Sequence, residues 1–117
     1  MAFVNTDMQA GHFGWIRNGT CADASGCEEF MAAVPGKSII CDHITISNGA
    51  GAQSITIGED ENAGAVKKAL IGPIAMAVNT SIQWGFPSGM VLAVNTALVV
   101  DSSSNTALTI FAYGRVE

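Results

Sequence analysis

Short runs of apolar residues, or of alternating apolar and polar residues, recur along the chain, and each ends at Gly, Asn, Ser or Pro. The runs are rich in Ile, Val, Thr and aromatic residues, which favour strands. Because no amphipathic segment of helical length separates them, the pattern favours an antiparallel β-sandwich of jelly-roll type over a parallel sheet. The predicted strands are Phe13–Arg17, Glu29–Val34, Ser38–Ser47, Ser54–Gly58, Val66–Ile71, Ile74–Val78, Ser81–Phe86, Met90–Ala93, Ala97–Asp101 and Ala107–Val116.

Turn residues separate these runs, and Gly, Pro and Asn supply the backbone conformations that tight turns need. The predicted turns are Pro35-Gly36, Asn48-Gly49-Ala50-Gly51, Gly72-Pro73, Pro87-Ser88-Gly89 and Ser102-Ser103-Ser104-Asn105. The first dozen residues are too few for an independent element and are expected to form an arm. The expected organisation is an N-terminal arm over residues 1–12 and a single β-sandwich domain over residues 13–117.

The last predicted strand carries no charge from Thr106 to Gly114, and both of its faces are apolar enough to be buried. A second copy of the chain is an economical cover for the face that the domain's own core does not use. The alternative is a central strand in a monomer, since exposed apolar area is common on monomers. The residues predicted to contact another copy are Phe3, Val4, Met8, Leu108, Ile110, Phe111 and Tyr113.

Composition limits the classes of function. A chain of 117 residues, 49% hydrophobic, is expected to be one folded domain rather than a disordered chain. Charges and prolines interrupt the apolar runs, so no transmembrane helix is expected. The five Lys and Arg residues are scattered and the net charge is -5, so nucleic acid is not an expected partner. The first residues show no secretory signal, and synthesis in a cytoplasm is expected.

Three cysteines and one histidine are the candidates for chemistry. Cys21 and Cys27 frame a short loop and could form a disulfide in an oxidising medium. Cys41 and His43 lie two apart on a predicted strand and are expected to share a face, where they could pair as thiol and base. Together with Cys21 and Cys27 they offer three thiolates and an imidazole, a set that could ligate zinc. Their spacing matches no recurring metal motif, so packing is the favoured interpretation and neither an enzyme nor a cofactor is expected. The acidic run Glu59–Asn62 is predicted to be a solvated loop.

The aromatic residues offer one further alternative. Trp15, Trp84 and Phe86 could stack on sugar rings and make a carbohydrate-binding platform. The favoured interpretation is that they fill the core or a seam between subunits, because large aromatic residues are common core fillers in β domains.

Several segments follow one another in a recognisable order over about residues 30–117. They are Pro35–Ile40, His43–Ala50, Leu70–Ile74, Thr96–Val100 and Ala107–Ile110 with Tyr113. This succession resembles small structural proteins of tailed bacteriophages, most closely capsid decoration (cement) proteins or head-fibre proteins. The resemblance implies a homotrimeric β-sandwich, made in the host cytoplasm, that binds the major capsid protein on the capsid exterior where capsomers meet. The alternative is a tail-tip or fibre module that recognises a host-surface glycan.

Overall fold

The computed structural model describes residues 4–8, 14–22, 27–60 and 68–117. These residues form nine strands that assemble into two antiparallel sheets packed face to face, which confirms the predicted all-β antiparallel fold. The strands are β1 (Val4–Met8), β2 (Gly14–Cys21), β3 (Cys27–Met31), β4 (Ile39–Asn48), β5 (Gln53–Asp60), β6 (Lys68–Met76), β7 (Ser81–Val91), β8 (Ala97–Ser102) and β9 (Leu108–Val116). No helix among the described residues is long and apolar enough to cross a membrane.

Strands from the first half of the chain pair with strands from the second half in reverse order. The five-stranded sheet has the order β1-β2-β9-β4-β7, and the four-stranded sheet has the order β3-β8-β5-β6. Four of the pairs are nested, with β5 on β6, β4 on β7, β3 on β8 and β2 on β9. Apart from the β1–β2 and β5–β6 connections, every link between consecutive strands crosses from one sheet to the other.

The core lies between the two sheets and is filled by alternate residues of the facing strands. Ile44 and Ile46 of β4 and Ile110 of β9 meet Ile57 and Leu98 from the other sheet, and all five are fully buried. β-branched and long aliphatic side chains suit this position, because they pack well on a pleated surface with one face covered.

Two of the predicted turns are wrong. Gly72-Pro73 lies inside β6 and Pro87-Ser88-Gly89 lies inside β7, so each of these strands joins two that were predicted to be separate. Both strands are at sheet edges, where proline is tolerated because one side of the strand needs no ladder hydrogen bonds. The pairing of both strands with their neighbours is irregular at these segments.

The N-terminal segment contributes a strand. Residues 4–8 form β1, which pairs antiparallel with β2 from Val4 opposite Thr20 to Met8 opposite Ile16. β1 is therefore an edge of the five-stranded sheet. The other residues of the predicted arm, 1–3 and 9–12, lie outside the described residues, and Phe3 is among them.

Candidate functional site

The last strand, β9, is the middle strand of the five-stranded sheet and explains why both of its faces are apolar. Leu108 and Ile110 point into the core and are buried there, so they are not available to another chain. Their place in the predicted contact surface is thereby corrected. Phe111 and Tyr113 point the other way, and Tyr113 is 41% exposed. Val4 and Met8 are placed only by their backbone, at the two ends of β1.

The outward residues of four strands form one continuous surface, which we call the outer face. Antiparallel pairing aligns them in three rows across β2, β9, β4 and β7. Directly paired residues share a face of the sheet, so each row is a set of neighbouring side chains. The rows are Ile16, Tyr113, His43 and Gly85; Asn18, Phe111, Thr45 and Gln83; and Thr20, Thr109, Ser47 and Ser81.

Ring contacts and hydroxyl pairs organise the outer face. The His43 ring stacks on Tyr113 with centroids 5.3 Å apart and an angle of 13° between the planes, and Phe111 lies 6.2 Å from Tyr113 in a tilted arrangement. His43 Nε2 is 2.9 Å from Thr45 Oγ1, within hydrogen-bond distance. At the other end of the face the hydroxyls of Thr20 and Thr109 are 3.2 Å apart, and those of Ser47 and Ser81 are 2.9 Å apart.

The outer face carries no formal charge, although the chain as a whole has a net charge of -5. None of its twelve residues is Asp, Glu, Lys or Arg. Arg115 follows on β9, and its charge is balanced at the border of the face: its Nη1 donates to Asp42 Oδ1 at 2.8 Å, and its Nε is 3.7 Å from a Glu117 carboxylate oxygen. The face is thus a neutral aromatic and hydroxyl surface on an acidic protein.

A shallow pocket of about 280 Å³ opens beside β7 and is lined by Thr45, Ser81, Ile82 and Gln83. Its polar groups are two hydroxyls and one amide, with no ionisable side chain. Such a lining can form hydrogen bonds but offers no formal charge to bind an ion, and one of its hydroxyls, that of Thr45, lies 2.9 Å from His43 Nε2.

Cys41 and His43 do not share a face, contrary to the prediction. Cys41 is opposite Gly114 on β9 and His43 is opposite Tyr113, so Asp42 is the extra residue of a β-bulge. The bulge turns Cys41 into the core, where its thiol donates to the His43 carbonyl oxygen at 3.3 Å, while His43 lies on the outer face. This separation removes the thiol–imidazole pair as a candidate site.

The aromatic platform is also corrected, because its three residues face the core. Trp15 is buried, and its indole Nε1 donates to the carbonyl oxygen of Arg115 at 3.2 Å. Trp84 and Phe86 are partly buried and pack against the core from the inner side of β7. None of the three presents a free ring face on the outer face.

Burial disfavours the thiolate form of both buried cysteines. Burial raises the pKa of the Cys41 thiol to about 12, and burial followed by the nearby Glu28 carboxylate raises the pKa of Cys21. The side chain of Cys27 lies outside the described ones, so its disulfide with Cys21 remains a prediction. Within the described ranges no group of three or more His, Cys, Asp or Glu could hold a metal ion.

Some residues that fix the loops gave no signal in the sequence. Glu59, predicted to be solvated, ends up in β5 with 6% exposure, and its carboxylate accepts a hydrogen bond from the Ala93 amide at 2.6 Å. The Asn48 amide nitrogen donates to the carbonyls of Gly51 and Ala77, both at 2.9 Å, and Gln53 Nε2 donates to Asn48 Oδ1 at 2.7 Å. The bonds from Ala93 to Glu59 and from Asn48 to Ala77 join segments about 30 residues apart, so no local pattern could have predicted them.

Comparison of the chain with protein-family models, with curated proteins and with solved structures finds no match. The function is therefore inferred from the fold and from the outer face.

Proposed function

We propose that this chain is a non-enzymatic structural protein of a bacteriophage virion. It is a homotrimeric jelly-roll protein that decorates the capsid exterior by binding the major capsid protein where capsomers meet. The outer face provides the contact between copies. The uncharged aromatic surface of an otherwise acidic chain is the observation that carries this proposal.

The nested pairing of β2 to β9 supports the jelly-roll assignment. Pairs β2·β9, β3·β8, β4·β7 and β5·β6 describe one long ribbon, folded at the β5–β6 connection and wrapped so that its strands alternate between two four-stranded sheets. A jelly roll has eight strands in two sheets, and β1 is then an addition to the edge of one of them.

Charge and composition support self-association through the outer face. Copies with a net charge of -5 repel one another, and this repulsion is least where the contacting surface itself is neutral. Aromatic residues are enriched and charged residues depleted at the centres of protein interfaces. Tyr113, Phe111 and His43 form an aromatic cluster of this kind, with hydroxyl and amide side chains on one side of it and the Arg115–Asp42 ion pair on the other.

A decorating role suits a chain with this chemistry. A cement protein acts by binding alone and needs no catalytic residue. A trimer presents each weak capsid contact three times, and the combined contacts hold far more tightly than one. The resemblance to phage decoration proteins provides the capsid as the partner. The glycan-binding alternative loses its support because Trp15, Trp84 and Phe86 face the core.

Sedimentation velocity at pH 8 tests the contact surface. We expect the wild-type chain to sediment as a trimer at micromolar concentration, and Tyr113→Glu to sediment as a monomer because it places a charge in the aromatic cluster of the outer face. Val94→Glu is the matched control, since Val94 is 54% exposed in the turn between β7 and β8, away from the outer face. It should remain a trimer.

A monomeric wild-type protein would contradict the self-association, and a trimeric Tyr113→Glu would move the contact to another surface. Binding to the capsid is tested separately by adding purified wild-type protein to particles that lack it and imaging them by cryo-electron microscopy. Density at the junctions between capsomers is expected, whereas density at the tail, or none, would contradict the decorating role.

A further inference from the structure

His43 is the histidine of the outer face, and its ring lies against Tyr113. The twelve residues of the face include two titratable groups, His43 and Tyr113, and the two are stacked. Imidazole gains a positive charge between about pH 8 and pH 5, whereas a phenol stays neutral over this interval. One protonation event can therefore convert the neutral face into a charged one.

Among the residues that the structure describes, those around His43 provide no carboxylate that is not already paired with Arg115. From β9 it faces Tyr113, and Arg115 follows one outward position further along that strand. From β7 it faces Gly85, with Gln83 in the next row, and neither can ionise. On its own strand, Thr45 offers a hydroxyl, and the carboxylate of Asp42 is already bonded to Arg115.

Glu117 is the other carboxylate at this border, and it too lies within ion-pair distance of Arg115. A positive charge on His43 would therefore lie near the Arg115 guanidinium, and the two carboxylates at this border, Asp42 and Glu117, are already within ion-pair distance of Arg115. In a contact between copies that excludes water, an unpaired charge is strongly unfavourable.

We propose that protonation of His43 controls self-association, so that copies assemble while the imidazole is neutral and separate when it is charged. This inference rests on the proposed function, because it takes the outer face as the contact between copies. Where the imidazole of the free chain is charged, each subunit of a trimer must release one proton to assemble. Because three protons are released for each trimer, the association constant falls by at most about a thousandfold for each pH unit by which the solution is made more acidic.

The experiment is sedimentation velocity at pH 8.0 and pH 5.5 on the wild-type chain, on His43→Gln and on His12→Gln. Glutamine keeps a side chain that can form hydrogen bonds but cannot become charged. His12 is the other histidine of the chain, and its variant controls for the loss of a titrating imidazole elsewhere. Circular dichroism at both pH values verifies that each variant remains folded.

We expect wild type and His12→Gln to be trimers at pH 8.0 and monomers at pH 5.5. Because His43→Gln alters the contact surface itself, its association constant is compared between the two pH values, and we expect it to change by less than about tenfold, whatever its value at pH 8.0. A wild-type trimer at both pH values would overturn the switch and leave the self-association intact. Equal dissociation of His43→Gln at pH 5.5 would also overturn it. A folded wild-type monomer at pH 8.0 would overturn the self-association and the switch together.

Discussion

The clearest effect of burial on a single residue is at Cys41, whose thiol is enclosed in the core. Burial raises its pKa from the ordinary value of 9.0 to about 12, because the thiolate would lose its hydration. A buried cysteine of this kind acts as a small apolar side chain and not as a nucleophile. Cys41, which the sequence analysis predicted to share a face with His43, is thus part of the hydrophobic core.

The raised pKa of Cys41 predicts a loss of stability in alkali. The folded state holds the thiol proton more tightly than the unfolded state, so this contribution is fully present below about pH 9 and is lost as the pH rises towards 12. Between pH 8 and pH 11 the free energy of unfolding of wild type should fall by about 2 to 3 kcal/mol relative to Cys41→Ala. Urea unfolding under reducing conditions, at one protein concentration, measures the difference.

Val99→Ala is the control for this comparison, since it also shortens a fully buried side chain but removes no titrating group. Its deficit relative to wild type should stay constant over the same pH interval. A deficit of Cys41→Ala that stays equally constant would show that the thiol is not held protonated by the fold.

At the scale of elements, the bulge in β4 determines what each face of the central strands presents. It requires Gly114 on the neighbouring strand, because a Cβ there would overlap the carbonyl oxygen of Ile40. Because Gly114 of β9 has no side chain, the neighbouring strand β4 has room for its extra residue, Asp42. This arrangement turns His43 outwards onto Tyr113 and Cys41 inwards.

Gly114→Ala should therefore lower the free energy of unfolding by about 2 kcal/mol or more, since the backbone of β4 must shift to accommodate the methyl group. Gly85→Ala is the matched control in an exposed edge strand, where a Cβ meets nothing within 4 Å in the same copy. Because Gly85 lies on the outer face, both variants are made in the Tyr113→Glu chain, so that the contact between copies does not enter the comparison. Gly85→Ala should leave stability unchanged or raise it by up to about 1 kcal/mol. Chemical denaturation compares the two variants, and equal stabilities would contradict the role assigned to Gly114.

The alternation of apolar residues was enough to predict most strands and the all-β class, since Ile44, Ile46 and Ile110 follow the period of a half-buried strand. It failed where the outcome depends on a distant partner. The bulge at Asp42 depends on Gly114, and the continuation of β6 and β7 through their prolines depends on their place at sheet edges. Phe111 and Tyr113 lie on the outer face, and their contact with another copy stays a prediction, whereas the predicted pairing of His43 with Cys41 is wrong.

At the scale of the whole molecule, the distribution of charge separates two kinds of surface. The net charge of -5 resides on residues away from the twelve positions of the outer face. Contacts through charged surfaces weaken as salt screens them, whereas contacts through neutral apolar surfaces do not. Salt dependence therefore distinguishes association through the outer face from association through ion pairs.

We expect the trimer association constant at pH 8 to stay constant or to rise between 50 mM and 500 mM NaCl. Salt screens the repulsion between copies that each carry a net charge of -5, and no ion pair across the outer face is lost. Sedimentation equilibrium at the two salt concentrations measures the constant. A fall of tenfold or more would place the contact on charged residues such as Lys37 or Arg115, and the outer face would then be free for another partner.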